Sequence, residues 1–226
     1  MRLSRRFTDR TEAGKELAKL LLALKLDDPV VLALPRGGVP VAAEIARALK
    51  APLDLILVRK IGVPFQRELA VAAVVDGGEA EIVVNDEVMT LAGGTQNYIA
   101  EQTRIELDEI ERRRRVYLEG RPRVPLEGRN LILVDDGIAT GASIRAAIAA
   151  LLRKSPKSLI LAIPVAPRET IKLLRGKVDE IVCLKIPEPF NAIGLHYRDF
   201  HQVPDEEVVR LMRAVDAAPE PSALPE

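Results

Sequence analysis

The sequence predicts an α/β fold, in which helices flank a mostly parallel β-sheet. Short, continuous apolar runs recur along the chain, as is typical of strands that are buried on both faces of a parallel sheet. These runs alternate with helical patterns, and two of them pass through a glycine-rich loop directly into a helix, at residues 30–49 and 131–152. Both loops are therefore expected at the carboxyl edge of the sheet, where open α/β folds bind their ligands.

Helices are predicted where apolar residues recur at helical spacing. Four leucines between residues 17 and 24 follow this spacing in the first helix. The longest helical pattern is rich in charge, and its acids precede arginines by four residues, as Glu109 precedes Arg113, which is the favourable order. The predicted helices cover residues 11–26, 41–49, 95–120, 142–152, 167–174 and 205–215.

Strands are predicted where short apolar runs lie between turn signals. The run at residues 131–134 is apolar throughout, and the runs at 71–75 and 81–85 flank Asp76-Gly77-Gly78, a hairpin-type turn. The predicted strands cover residues 30–34, 54–58, 71–75, 81–85, 131–134, 158–164 and 181–184.

A chain of 226 residues suits one domain with inserted segments. We predict a single domain over residues 1–216. Within it, residues 76–128 form a flap-like insertion and residues 185–204 a hood-like segment. Residues 217–226 are rich in Pro, Ala and Glu and are predicted to be a disordered tail.

The composition excludes several classes of function. Lys+Arg and Asp+Glu number 33 each, so no overall field attracts nucleic acid or an anionic membrane. A single cysteine excludes an intramolecular disulfide and a cysteine-based metal cluster, and two histidines leave little for a histidine-based metal site. Ser4-Arg5-Arg6 is followed by charged residues instead of the apolar segment of an export signal, and no apolar run is long enough to span a bilayer. The cytoplasm is the expected location.

One loop combines the features of a phosphate site with two carboxylates. Asp135 and Asp136 stand where a strand leaves the sheet, and the loop leads into a helix whose first N–H groups suit a phosphate. Thr140 and Ser143 can add hydroxyl donors, and no lysine follows Gly141, so a phosphate monoester fits better than the triphosphate of a Walker A loop. Because like charges repel, the acids are expected to accept hydrogen bonds from sugar hydroxyls or to hold magnesium through water. An ordinary turn with a Thr or Ser N-cap is the alternative.

A second glycine-rich loop carries Arg36, Gly37 and Gly38 before a helix. Arg36 would add a forked donor for phosphate oxygens to the amides of the helix start, although a tight turn with a solvated arginine has the same pattern. Arg59 and Lys60 come at the end of the second predicted strand. They are either two solvated residues or a basic pair that neutralises a diphosphate.

Residues 131–143 resemble, along their full length, the phosphoribosyl-pyrophosphate (PRPP) signature of the type I phosphoribosyltransferases. The resemblance implies a Rossmann-like, mostly parallel sheet flanked by helices, with a helical flap and a C-terminal hood. It also implies Mg²⁺ as the cofactor, PRPP as one substrate, and transfer of ribose-5-phosphate to a nitrogen nucleophile with release of pyrophosphate. Dimers are common in that family, so a homodimer is compatible with the resemblance.

The resemblance assigns roles to individual residues of this chain. Asp135 and Asp136 would engage the ribose hydroxyls and, through these hydroxyls or through water, the metal. Together with Arg36 and Lys60 they form the predicted catalytic set. The predicted ligands of the 5-phosphate are Gly137, Ala139, Thr140, Gly141, Ala142 and Ser143. The predicted ligands of the pyrophosphate are Arg36, Gly37, Gly38, Arg59 and Lys60.

Ala139 departs from the pattern of several purine-salvage members, which have an aspartate there that acts on the base. This chain has no carboxylate at that position, which removes one candidate for the general base. The sequence does not specify whether the acceptor is a purine, a pyrimidine, a pyridine or another amine.

The charged helix contains four successive arginines at residues 112–115. It is either a solvated helix or a mobile lid, with Gly93-Gly94 and Gly120 as hinges and one of the arginines reaching the diphosphate.

A Pro-punctuated segment at residues 187–201 holds both histidines and three of the seven aromatic residues (four Phe and three Tyr). It is either a satellite hydrophobic cluster or a hood that receives the acceptor base. In the second case Phe190, Tyr197 and Phe200 are the candidates for contact with the acceptor.

Two other classes of function compete with the enzyme. One is a PRPP-sensing regulator with the same fold that binds nucleic acid, for which residues 112–115 are the only basic run, offset by neighbouring glutamates. The other is a dinucleotide-binding protein. It would need a G-x-G-x-x-G sequence after a strand, and no predicted strand of this chain is followed by one. We rank the enzyme first and expect neither nucleic acid nor a membrane as a partner.

Overall fold

The computed structural model describes residues 5–63, 66–76, 80–84 and 96–217. The described strands are β1 (Pro29–Ala33), β2 (Leu53–Leu55), β3 (Leu57–Val63), β4 (Gln66–Asp76), β5 (Ala80–Val84), β6 (Asn130–Val134), β7 (Ser158–Val165) and β8 (Glu180–Lys185). The described helices are α1 (Arg10–Ala23), α2 (Gly38–Leu49), α3 (Gln96–Leu118), α4 (Ala142–Leu152), α5 (Arg168–Leu174) and α6 (Asp205–Asp216), with a short 3₁₀ helix at Ile193–His196.

The main sheet contains five strands in the order β2–β1–β6–β7–β8. All neighbouring pairs are parallel, and in the centre Val31 is in register with Leu53 on one side and Ile132 on the other. Every residue of β6 is buried, which explains why its sequence is apolar without alternation. The predicted fold class, a mostly parallel sheet flanked by helices, is confirmed.

Helices cover both faces of this sheet because its strands are apolar on both sides. In β1, Val31 and Ala33 belong to the hydrophobic cluster that contains α1, α2 and α6. Val30 and Leu32 point the other way, into the cluster that contains α4 and α5. This arrangement places the β1–α2 and β6–α4 loops side by side at the carboxyl edge of the sheet, since β1 and β6 are neighbours.

A second, antiparallel sheet in the order β3–β4–β5 corrects one predicted strand. Residues 54–58 were expected to form a single strand, but the chain leaves the main sheet after Leu55 and enters β3 at Leu57. No turn residue interrupts this apolar run, so the sequence contains no signal for the break. Arg59 and Lys60 consequently lie within β3, opposite Val74 and Ala73, and not at the end of a main-sheet strand.

Several predicted features fall outside the described residues. These are the hairpin glycines Gly77 and Gly78, the proposed hinge Gly93-Gly94, and all of the predicted tail except residue 217. In the part of the chain that the structure does describe, no helix has the length and apolar character needed to cross a membrane.

Candidate functional site

The two glycine-rich loops predicted from the sequence pack directly against each other. The Leu34 amide, at the end of β1, donates to the Val134 carbonyl at 2.9 Å. Gly37 lies so close to the acid pair that a Cβ there would be 2.1 Å from Oδ2 of Asp136. The loop also contains a cis peptide bond between Pro35 and Arg36. Glycine is needed at position 37 because no side chain fits between the loop and the carboxylate.

The β6–α4 loop presents the start of a helix without a side-chain cap. Gly141 is the N-cap of α4 and has φ of +74°, a left-handed conformation that favours glycine. Ala139 and Thr140 are exposed, and the loop is anchored from behind because Thr170 Oγ1 donates to the Ala139 carbonyl at 2.6 Å. The amides of the first turn have no partners within the helix, which is the arrangement that suits a phosphate.

The two adjacent acids have different environments. Asp136 is buried, and Oδ2 of its carboxylate accepts a hydrogen bond from Nε of Arg10 at 2.8 Å and forms an ion pair with Nη2 of Arg10 at 2.8 Å. The Asp136 carbonyl accepts a hydrogen bond from the hydroxyl of Tyr197 at 2.6 Å. Asp135 is half-buried, and its Oδ1 accepts the backbone N–H of Asp136 at 2.9 Å. Of the two carboxylates, that of Asp135 is thus the one without an ion-pair partner among the described residues.

Burial dominates the protonation chemistry of this pair. It raises the pKa of Asp135 well above its ordinary value, and the charge of Asp136 raises this pKa further. Burial also raises the pKa of Asp136, but Arg10 opposes the shift through its charge and its hydrogen bond. Arg10 therefore favours Asp136 as the ionised member of the pair.

Arg10 is a site residue that the sequence analysis missed. It lies 126 positions before Asp136, at the beginning of α1, where an isolated arginine in a charged segment has no distinguishing pattern. The second contact that the sequence did not reveal is between Arg36 and Asp205, whose Nη1 and Oδ1 atoms are 3.2 Å apart.

Arg36 is held by a network that reaches α3 and α6. Oδ1 of Asp205 also accepts the hydroxyl of Tyr117 at 2.8 Å. Burial, followed by this hydrogen bond, raises the pKa of Tyr117 to about 12. Burial opposes ionisation of Asp205, but the hydrogen bonds from Tyr117 and Arg36 outweigh it and lower the pKa of that carboxyl. The Arg36 guanidinium is thus held at the second loop, half-exposed and next to an ionised acid.

The basic pair on β3 is not joined to these loops by any polar contact within the described residues. Nε of Arg59 donates to Glu106 of α3 at 2.6 Å, and Lys60 is exposed. Consecutive residues of a strand point to opposite faces, so the two side chains do not form one cationic patch. Their assignment to the pyrophosphate stays a prediction, without the strand-end position that suggested it.

The segment predicted as a hood forms a hydrophobic cluster. Tyr197 is 2% exposed, and its ring packs against Phe7 at 5.4 Å and Phe200 at 5.0 Å between centroids. Phe190 stacks on His196 at 6.0 Å. These residues therefore form a hydrophobic cluster, which is what one of the two interpretations predicts. Contact with an acceptor stays a prediction for Phe190 and Phe200, whereas the buried ring of Tyr197 has no free face for it.

The four arginines of α3 each have an acidic partner. Arg112 and Arg113 pair with Glu109, Arg115 pairs with Glu111, and Arg114 pairs with Asp76 at the end of β4. Arg114 also borders a cavity of about 480 Å³ that lies between α3, residues 123–127 and the end of α4, apart from the glycine-rich loops. Each arginine of the basic run is therefore paired within the protein, although the four share three acids.

Among the described residues, no group of three or more His, Cys, Asp or Glu side chains could by itself hold a metal ion. The donor set at the acid pair consists of the half-buried carboxylate of Asp135 and the exposed hydroxyl of Thr140 nearby in sequence. Such a set fits Mg²⁺ only in the way Mg²⁺ usually binds with phosphates, through one or two carboxylates, water and the oxygens of a bound ligand.

Comparisons with known proteins agree with this geometry. The sequence profile of the phosphoribosyl transferase domain matches residues 7–199. Two Mycobacterium tuberculosis proteins that are provisionally named phosphoribosyl transferases, MT0597 and Rv0571c, are each 43% identical over 228 residues, which cover 95% of this chain and 50% of theirs. The chain thus spans about half the length of the curated relatives it matches.

Solved structures share the fold. The crystal structure of TT1426 from Thermus thermophilus superposes with a TM-score of 0.80 at 41% identity and covers 92% of this chain and 97% of its own. The AQ2163 protein from Aquifex aeolicus has a TM-score of 0.50 at 14% identity, covering 82% of this chain and 78% of its own, which shows a similar fold alone.

Proposed function

The chain belongs to the phosphoribosyl transferase family, and we propose that it is an enzyme that transfers ribose-5-phosphate from PRPP to a nitrogen nucleophile and releases pyrophosphate. The observation that carries the proposal is the packing of two glycine-rich loops around one acid pair at the carboxyl edge of the main sheet. A sugar with a phosphate at each end needs this arrangement, in which two anion-binding loops flank groups that accept hydrogen bonds.

The 5-phosphate would lie at the start of α4. The uncapped amides of the first turn donate hydrogen bonds, and the helix dipole adds a partial positive charge. The exposed hydroxyl of Thr140 and the half-buried one of Ser143 can add two more donors. No carboxylate stands at position 139 to repel the phosphate.

The diphosphate would lie against the second loop, at the start of α2. The first amides of this helix already donate to the Leu34 and Arg36 carbonyls, so the donor offered here is the charged side chain of Arg36, which Asp205 keeps in place. Negative charge develops on the diphosphate as the C1–O bond of the ribose breaks. The Arg36 guanidinium, which Asp205 holds at that position, would stabilise it without reorganisation, and such stabilisation is often the largest contribution to catalysis.

The ribose hydroxyls would donate hydrogen bonds to Asp135, with Asp136 as the second acid of the pair. Asp135 and Asp136, through the ribose hydroxyls or water, would hold Mg²⁺, which would supply charge neutralisation at the leaving group. The carboxylates themselves orient the sugar and lie near the positive charge that develops on its ring. Exclusion of water, by closure of the α3 region or by the acceptor itself, would protect that reactive sugar from hydrolysis.

A regulator that binds nucleic acid is the second class, and the structure offers no specific support for it. The only basic run suggested for nucleic acid is paired with Glu109, Glu111 and Asp76 in the folded protein. Any such binding would have to break these ion pairs first.

An acceptor screen tests the proposal. Wild-type protein is incubated with PRPP, Mg²⁺ and a panel of purines, pyrimidines, pyridine carboxylates and amines, and pyrophosphate release is followed. Release that depends on one acceptor, and that falls by about tenfold in Thr140→Val because a phosphate donor is lost, supports the enzyme. Arg115→Met, which changes an exposed residue of α3, is the control and should behave as the wild type. A folded protein that binds PRPP but turns over no member of the panel would favour the sensor.

A further inference from the structure

We propose that Arg10 is a positioning residue that joins the acid pair to the segment 197–201, so that the ribose side and the acceptor side of the site are held as one unit. This inference rests on the proposed function, which assigns one side of the site to the ribose and the other to the acceptor.

The guanidinium of Arg10 uses its forked donors on two different segments. Nε donates to Oδ2 of Asp136 at 2.8 Å, Nη2 forms an ion pair with the same oxygen at 2.8 Å, and Nη1 donates to the carbonyl of His201 at 2.8 Å. Its carbon centre lies 3.9 Å from the centroid of the Phe200 ring, which it stacks on as a cation. Arg10 is only 7% exposed, so water does not weaken these interactions.

A second link between the same two segments does not involve Arg10. The hydroxyl of Tyr197 donates to the carbonyl of Asp136, and the Tyr197 ring stacks on Phe200. Arg10 therefore fixes the carboxylate of Asp136 and Tyr197 fixes its carbonyl. Both of these side chains contact the Phe200 ring. This closed ring of contacts holds the Asp136 carboxylate toward Arg10, and leaves that of Asp135 as the acid available to a ribose.

The segment is tied at the same place to the beginning of the chain. The amides of Arg198 and Asp199 donate to the carbonyls of Phe7 and Thr8, at 2.8 and 2.9 Å. Since α1 begins at Arg10, the start of this helix, the acid pair and the segment 197–201 meet around one guanidinium. A lysine has the same charge but lacks a planar fork, so it cannot serve an acid and a carbonyl in two directions while stacking on a ring.

Arg10→Lys tests this role while keeping the charge beside Asp136. We expect hydrogen exchange at the amides of Arg198 and Asp199 to become about tenfold faster in the ligand-free protein, because the hood segment loses its anchor. By calorimetry, the Kd for PRPP should rise about tenfold, because the acid pair is less well held. Tyr197→Phe, which removes only the hydroxyl that bonds to Asp136, should shift both quantities in the same direction by less.

Arg129→Lys is the matched control. Arg129 also uses three donors, on the carboxylate and carbonyl of Asp28 and on the carbonyl of Pro125, but it lies near the amino edge of the main sheet. The Arg129→Lys substitution should change neither the hydrogen exchange at residues 198–199 nor the Kd for PRPP.

The outcomes separate this inference from the proposed function. Wild-type exchange at residues 198–199 in Arg10→Lys, an increase spread evenly over the whole chain, or faster local exchange with an unchanged Kd would each overturn the coupling. If wild-type protein bound neither PRPP nor ribose 5-phosphate, the proposed function would fail. Faster local exchange in Arg10→Lys and Tyr197→Phe would even then support Arg10 as the link between the two segments.

Discussion

At the carboxyl edge of the main sheet, several groups keep unused hydrogen-bonding capacity, whereas along α3 nearly every charge has a partner. The first region has the uncapped start of α4, the exposed Thr140 and the Asp135 carboxylate, which has no ion-pair partner among the described residues. In the second, residues 112–115 are all paired, and Asp76 at 3% exposure is held by both Arg114 and Arg123.

The difference shows that the number of charges does not identify the site. The helix α3 has the densest charge in the chain, but its ion pairs serve to hold it against β3, β4 and one another. The carboxyl edge has fewer charged groups, and the Asp135 carboxylate among them has no ion-pair partner within the described residues. Under the proposed function, unused hydrogen-bonding capacity at the ends of parallel strands is thus the better indicator of the site.

The largest effect is expected for Gly37→Ala, which tests how closely the two loops are packed. The new Cβ would clash with Asp136, and that carboxylate cannot move because Arg10 holds it. Overpacking of this kind costs roughly 1–3 kcal/mol or more, and PRPP binding should be lost with it. Urea unfolding and calorimetry measure the two effects.

Gly120→Ala is the comparison for Gly37→Ala. Gly120 has φ of +77° and no neighbouring atom within 4 Å of a new Cβ, so only backbone strain of about 1 kcal/mol is expected. Equal losses of stability in the two variants would show that the loops are not packed as described.

Arg114→Met tests whether the charges of α3 serve stability alone. It leaves Asp76 buried with only Arg123 as a partner, which should lower the free energy of unfolding by roughly 2–3 kcal/mol, somewhat less than the loss of a sole partner. The Kd for PRPP should not change. Arg115→Met, at an exposed pair, should alter neither quantity. Weaker PRPP binding in Arg114→Met would instead place α3 in the site.

Asp135→Asn separates ligand binding from stability at the carboxyl edge. Loss of a hydrogen bond to a charged group should weaken PRPP binding by about ten- to a hundredfold in calorimetry. Because burial raises the pKa of this carboxyl, its charged form opposes folding above the ordinary pKa, and this cost grows as the pH rises. The asparagine variant should therefore be at least as stable as the wild type at neutral pH. Wild-type affinity would remove Asp135 from the ribose site.

The smallest effect concerns the two histidines, which both lie in the segment 187–201 but have different surroundings. Hydrogen bonds to Asp199 and then Glu207 raise the pKa of His201, whereas burial and then the charges of Lys185 and Arg6 lower that of His196. NMR titration should find one histidine above and one below the ordinary value of about 6.5. The pairing of His201 stabilises the fold below that value and is lost as the pH rises through its raised pKa. Identical titration of both rings would contradict these contacts.

The predictions from sequence succeeded where one local pattern decides the structure. The strand at 131–134, the glycine loop after it and the helix that begins at Ala142 appear as predicted, since burial on both faces leaves little choice of residues. The same holds for the unit that contains Arg36, Gly37 and Gly38. Both loops were identified because a strand, a glycine-rich turn and a helix follow each other within a few residues.

The predictions failed where partners distant in the sequence decide the outcome. The run from Leu53 to Val58 contains no break signal, but β1 offers parallel pairing only as far as Leu55. Tyr197 was a candidate for ligand contact because it is aromatic, but Phe7 and Phe200 cover its ring.

The sequence by itself determined the α/β class, the order of the elements and the two glycine-rich loops that join a strand to a helix, because these follow from the local periodicity of apolar residues and from the position of glycine. Only the tertiary structure decided which of the two acids stays free for a ligand. That choice depends on Arg10 and Tyr197, which lie 126 and 61 positions away from Asp136 and reach it only in the folded chain.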